Sequence, residues 1–123
     1  MKLKRTKNTP SVFLSVKECI FEIKGPSFAE HISEIYTPIL QWIEEEIPLL
    51  SCELDCHFQI DVLNSVSYKN IIEIIMRLDY YAKNGKQIKI VWHYYTDDED
   101  NYAVGNDLSE LFDINFEMIE ETY

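Results

Sequence analysis

Between Cys52 and Val62 apolar and polar residues alternate strictly. Cys52, Leu54, Cys56, Phe58, Ile60 and Val62 fall on one side of an extended chain, and Glu53, Asp55, His57, Gln59 and Asp61 on the other. A period of two predicts a strand with one dry and one wet face. Strands covered on both sides read instead as near-continuous apolar runs, so the pattern predicts helices packed mainly on one face of a sheet and excludes a doubly wound arrangement.

The rest of the chain can be read against that strand. Val12 to Val16 and Cys19 to Lys24 are short apolar-rich runs on either side of Lys17-Glu18, which predicts a hairpin closed by Gly25-Pro26. Ser27 followed by Glu30 forms a capping-box pattern, after which Phe28, Ile32, Ile35, Tyr36, Ile39, Ile43 and Ile47 recur at helical spacing. Pro38 removes one backbone donor inside this helix and predicts either a kink or a fresh start near Thr37. Ile71, Ile72, Ile75, Leu78 and Ala82 mark a second helix over Lys69 to Lys83, stopped by Asn84-Gly85. Gln87 to Tyr95 reads as a strand, Asp97 to Asp100 as an acidic loop, Asp107 with Glu110 as the capped start of a short helix through Phe112, and Ile114 to Ile119 as a last strand. The expected order is β-β-α-β-α-β-α-β, a single α/β domain with a mixed sheet over residues 11–123, preceded by a flexible basic arm, MKLKRTKNTP, over residues 1–10.

Composition narrows the classes of function. The 123 residues suit one core. Lys and Arg total 11 against 22 for Asp and Glu, a formal charge of -11, which lacks the basic footprint a nucleic-acid binder needs and suits basic protein surfaces instead. No apolar run is long enough to span a bilayer, and the basic start lacks a secretory apolar segment, so a cytoplasmic protein without a membrane role is expected. Three cysteines, Cys19, Cys52 and Cys56, make an odd count that predicts reduced thiols, not a disulfide framework. Cys52, Cys56 and His57 lack a second Cys/His pair at zinc spacing, so no metal is expected there.

No catalytic set or cofactor cradle emerges. His31, His57 and His93 adjoin no nucleophile motif, and Gly25, Gly85 and Gly105 cannot form a glycine-rich phosphate loop. Asp97, Asp98, Glu99 and Asp100 could meet a hard cation, but Tyr102 and Leu108 occupy the Gly and Glu positions that an EF-hand loop requires, which leaves a solvated acidic loop as the simpler reading. The wet-faced strand runs into Asn64, Ser65, Val66 and Ser67 and then into a helix. Ser65 therefore lies where free backbone N–H groups and the positive end of the helix dipole would stabilise a phosphate. Serine and asparagine are also ordinary N-caps, so the residues alone leave cap and phosphosite open.

Several blocks together resemble the SiaC-type bacterial regulatory phosphoproteins, small domains related in fold to the STAS anti-sigma-factor antagonists. They are Tyr36-x-Pro38-Ile39-Leu40-x-Trp42, the strand into Asn64-Ser65, Asn84-Gly85-Lys86, Trp92 with Tyr94, the run Asp97 to Asp100, and Gly105-x-Asp107. The resemblance implies a protein without activity of its own. Its unphosphorylated form would bind and activate a diguanylate cyclase, a partner kinase of the histidine-kinase-like ATPase type would phosphorylate it, and a PP2C-like phosphatase would reverse the mark. Direct antagonism of an anti-sigma factor is the alternative within the same class. The family's modified position matches Ser65, with Ser67 as second choice, and implies a partner surface of Asn64, Ser65, Val66, Ser67, Tyr68 and Lys69. Here Ser stands where the family pattern has Thr, and Val66 where a hydroxyl is common.

Overall fold

The computed structural model describes residues 1–122. Its elements in chain order are β1 (Lys2–Leu3), β2 (Ser11–Ser15), β3 (Ile20–Ser27), α1 (Ser33–Glu46), a 3-10 turn (Ile47–Leu49), β4 (Leu54–Leu63), α2 (Ser65–Lys83), β5 (Ile88–Tyr95), α3 (Glu99–Leu111) and β6 (Asn115–Glu121). The strands lie in one sheet in sequence order. β1 and β3 each pair antiparallel with β2, while β3, β4, β5 and β6 run parallel. Each parallel step moves one strand in the same direction, and right-handed crossovers then put α1, α2 and α3 on a single face.

The core lies between that face and the helices. Phe21, Ile23, Cys56, Phe58, Ile60, Ile90 and Trp92 of the sheet meet Tyr36, Ile39 and Ile43 of α1 and Ile71, Ile74, Ile75 and Leu78 of α2, all of them buried. Aromatic rings tie three strands together, with Phe21 and Phe58 5.7 Å apart and Phe58 stacked on Trp92 at 5.9 Å. The alternation that predicted β4 holds from Leu54 to Ile60, but Val62 is 55% exposed. The register with β3 shifts between Gly25 and Ser27, so Leu63 pairs with Ser27 and takes the core contact that the strict pattern assigned to Val62.

Local signals were overridden at four places. Ser27 is not a cap. It is the buried end of β3, and α1 begins at Ser33 behind Ile32, which makes no side-chain capping bond. Pro38 lies inside α1, which already begins at Ser33, so no fresh start occurs near Thr37. The first residues, expected to be a flexible arm, supply β1: the terminal amine donates to the Leu14 carbonyl at 2.8 Å, and the Asn8 carbonyl accepts from both Phe28 and Ala29 N–H at 3.1 Å. The acidic run is not a loop throughout. The Asp98 side chain caps α3 by accepting from Asn101 N–H at 3.0 Å, and Glu99 and Asp100 fill the first turn, where carboxylates are stabilised by the helix dipole.

The expectation of reduced thiols is also corrected. Cys19, at the end of the β2–β3 turn, and Cys52, before β4, form a disulfide with Cα atoms 6.4 Å apart, leaving Cys56 as a buried free thiol. They lie far apart in sequence but on neighbouring strand approaches, a juxtaposition that cysteine counting cannot reveal. Burial holds the Cys56 thiol well above its ordinary pKa.

Candidate functional site

The parallel strands all end at one edge of the sheet, and there the chain turns into α1, α2 and α3. Such an edge, with helix N-termini pointing outward, is the usual ligand and partner side of an open α/β sheet. At its centre is Asn64, in extended backbone conformation, whose side-chain oxygen accepts from Ser67 N–H at 2.8 Å. Asn64 N–H in turn donates to the Ser27 carbonyl at 3.2 Å, fixing the start of α2 to the end of β3. Capping by Asn64 leaves Ser65 in the first helical position, exposed to solvent.

Ser67 has the opposite environment. It is fully buried, donating its hydroxyl to the Ser27 carbonyl and accepting from the Ser27 hydroxyl, both at 2.7 Å. Since Ser27 spends its proton on Ser67, the Tyr36 hydroxyl must be the donor in its own 2.7 Å contact with Ser27. A directed chain of hydroxyls thus runs from Tyr36 through Ser27 and Ser67 to a backbone carbonyl. Burial pushes the Tyr36 pKa up to about 12, despite its hydrogen bonds to the two serines, and keeps that chain protonated.

Exposed apolar side chains occur at and near the ends of β3 and β4, where α2 begins. Val66 is 45% exposed, Val62 55% and Phe28 43%. Of the six residues expected to form a partner surface, Ser65, Val66 and Lys69 are exposed, Asn64 and Tyr68 are partly covered, and Ser67 is withdrawn into the core. The sequence pattern put Phe28 on the apolar stripe of α1 and Val62 on the apolar face of β4, yet both are exposed. Val62 turns outward where the shifted β3–β4 register brings Ser27 beside Leu63. Asn70 connects this region to α1 with a 3.4 Å hydrogen bond to the Ser33 hydroxyl.

The acidic run Asp97, Asp98, Glu99 and Asp100 starts α3 at the end of β5, the strand beside β4, so it shares the sheet edge with Ser65. No Lys or Arg occurs after Lys89, so α3 and β6 carry no cation of their own to neutralise it. Among the described residues, no group of three or more His, Cys, Asp and Glu side chains is placed to hold a metal ion, and no helix is long and apolar enough to cross a membrane.

On the open face of the sheet, His57 Nδ1 lies 2.8 Å from His93 Nε2, and His93 Nδ1 lies 2.7 Å from Glu121 Oε1. The two histidines are far apart in the sequence, but the parallel β4–β5 register brings them together. Burial, followed by the neighbouring His93, lowers the His57 pKa.

Comparison with known proteins converges on one family. A family model described as SiaC family regulatory phosphoprotein matches residues 3–121. The fold is similar to apo-SiaC from Pseudomonas aeruginosa, with a TM-score of 0.87 and 19% identity, covering 97% of each chain. It is similar also to SiaC in the crystal structure of the diguanylate cyclase SiaD with its activator SiaC from the same organism, with a TM-score of 0.91 and 19% identity over 98% of this chain and 99% of that one. An uncharacterized protein of Pseudomonas aeruginosa strain UCBPP-PA14 is 22% identical over 89 residues, 72% of this chain and 71% of that protein.

Proposed function

Because the chain belongs to the SiaC family of regulatory phosphoproteins, we propose that it is a non-enzymatic switch whose unphosphorylated form binds and modulates a diguanylate cyclase, and that phosphorylation of Ser65 ends the interaction. The observation that carries this reading is the contrast between two serines separated by a single residue. Ser65 is exposed in the first turn of α2, whereas Ser67 is buried with its hydroxyl fully engaged. A kinase can reach the first without disturbing the fold and cannot reach the second.

The physical effect follows from the surroundings. A phosphate adds roughly two negative charges and three acceptor oxygens. At the start of α2 it faces unpaired backbone N–H groups and the positive end of the dipole, so the helix is stabilised. The exposed apolar Val66 next to it is affected differently, because a charge beside it must be desolvated before a partner can pack there. Carboxylates at the start of α3 on the same edge add repulsion to the new charge. Binding is therefore lost through the surface while the domain keeps its fold. The relative SiaC is described as the activator of the cyclase SiaD and is seen bound to it. That supports a cyclase as partner here; the kinase, of the histidine-kinase-like ATPase type, and the PP2C-like phosphatase are what the family resemblance implies.

The test is incubation with the kinase followed by mass spectrometry of wild type and Ser65→Ala, together with the cyclase affinity of Ser65→Glu. Loss of phosphate incorporation in Ser65→Ala and weaker binding by Ser65→Glu are expected. Undiminished incorporation in Ser65→Ala removes that residue from the role.

A further inference from the structure

The open face of the sheet holds a three-member hydrogen-bonded row that crosses three strands: His57 on β4, His93 on β5 and Glu121 on β6. Glu121 as a carboxylate only accepts, so His93 Nδ1 carries a proton toward it. One hydrogen then lies between the two rings, and it can belong to either. In the neutral pair His57 Nδ1–H donates to His93 Nε2. With one proton added, one hydrogen still lies between the two rings and the contact is kept. A second added proton leaves two N–H groups facing each other across 2.8 Å, and the contact cannot survive.

We propose that His57, His93 and Glu121 form a proton-operated latch across β4, β5 and β6, which takes up a first proton within its hydrogen bonds and is opened by a second.

Among the described residues, the other charged groups on or beside this face are Glu22 and Lys24 on β3, Glu53 just before β4, Asp55 and Asp61 on β4, Lys89 on β5 and Glu117 on β6, with Lys2, Lys4 and Arg5 from the first residues and the titratable hydroxyl of Tyr95. Most are paired among themselves: Glu22 with Lys24 at 3.2 Å, Lys89 with Glu117 at 3.0 Å and Arg5 with Asp61 at 3.2 Å. Asp55 and Glu22 favour a charged His57, while burial, a charged His93 and Lys24 oppose it, and the opposing effects prevail. The helices lie across the sheet and add no group here. The latch also reaches the edge where Ser65 lies. The Glu121 carbonyl accepts from Thr96 N–H at 3.0 Å and from its hydroxyl at 3.2 Å, and the Tyr95 carbonyl accepts from N–H of Asp98, the cap of α3.

The experiment is a pH titration of the intact chain by NMR, following imidazole nitrogens and backbone amides in wild type, His93→Gln and Glu121→Gln. In wild type His57 takes its proton below the ordinary imidazole range, and the amides of Thr96, Asp98 and Asn101 shift with the same midpoint. In His93→Gln, where an amide replaces the ring that repels a charged His57, the His57 midpoint rises by about half a pH unit or more. Glu121→Gln weakens uptake of the first proton, and it also serves if His93→Gln does not fold. An ordinary His57 midpoint in wild type, or one unmoved by loss of His93, overturns the latch. Amides that ignore the His57 titration overturn its connection to α3.

Discussion

The Ser67 hydroxyl donates to the Ser27 carbonyl at 2.7 Å while accepting from the Ser27 hydroxyl at the same distance, across forty residues of chain. The pair joins the first turn of α2 to the last residue of β3. In Ser67→Ala the buried Ser27 hydroxyl loses its acceptor, and the Ser27 carbonyl loses a donor. A cost of about 1–3 kcal/mol is expected, read as a lower urea midpoint with an unchanged slope. Kinase-dependent phosphate incorporation persists in this variant, because the exposed Ser65 remains. Loss of incorporation in folded Ser67→Ala would place the modification at Ser67 after all.

Asn64 holds the same helix start from outside. Its side chain satisfies Ser67 N–H at 2.8 Å, so Asn64→Ala should cost about 1 kcal/mol, whereas Asn64→Asp keeps an acceptor and should remain close to wild type. Equal destabilisation by both changes would show that the cap hydrogen bond is not what the site supplies. Denaturation curves at neutral pH distinguish the two outcomes.

The Cys19–Cys52 bond closes a segment of 33 residues containing β3 and α1. Constraining the unfolded chain over such a length contributes about 2–4 kcal/mol. Reductant should lower the melting temperature of wild type to that of Cys52→Ser and leave Cys52→Ser unaffected. Wild-type melting indifferent to reductant, with both thiols alkylated afterwards, would mean that the bond adds nothing to stability.

What the sequence made legible was set by short-range physics. The alternation from Leu54 to Ile60 could be read directly, because its period reports one strand's two faces. The Asn64-Ser65 junction could be read because a cap acts on N–H groups of its own first turn. Ser27 has the local signature of a cap, but the partners that hold it, Ser67 and Tyr36, are brought in by other elements. The pairing of Cys19 with Cys52 likewise depends on elements distant in sequence. The acidic run resembled a loop, although Asp98 capping with Glu99 and Asp100 behind it is also how a helix starts. Exposure of Val62 depended on a register shift, which has no signature in either strand alone.

Gly105 shows how closely α3 approaches the sheet. A Cβ there would run into the Trp92 ring and lie 2.7 Å from Met118 Cε. Trp92 is buried and holds its position by donating Nε1–H to the Asn101 carbonyl at 3.2 Å, so it cannot simply move aside. Gly105→Ala should destabilise by about 1–3 kcal/mol through overpacking, against the small gain in helix propensity. Trp92 fluorescence in the native state should change as well. A variant as stable as wild type would mean that α3 can lift away from β5 without cost.

Tyr36 supplies the alkaline limit of the buried hydroxyl chain. Its pKa is pushed up to about 12 by burial, against an ordinary value of 10.0 in the unfolded chain. The folded state therefore keeps a proton that the unfolded state gives up. The associated stability is fully present below pH 10 and is lost as pH rises from 10 toward 12, amounting to about 2–3 kcal/mol. Tyr36→Phe removes the ionisable group at the cost of the hydrogen bond to Ser27, about 1 kcal/mol near neutral pH. Urea unfolding of both proteins between pH 8 and about 11.5 should then show wild type more stable at the start, the gap closing above pH 10, and the order reversing near the top of the range. Curves that stay parallel throughout would mean that Tyr36 ionises as readily in the folded protein as in the unfolded chain, and that the chain of hydroxyls beneath Ser65 is open to water.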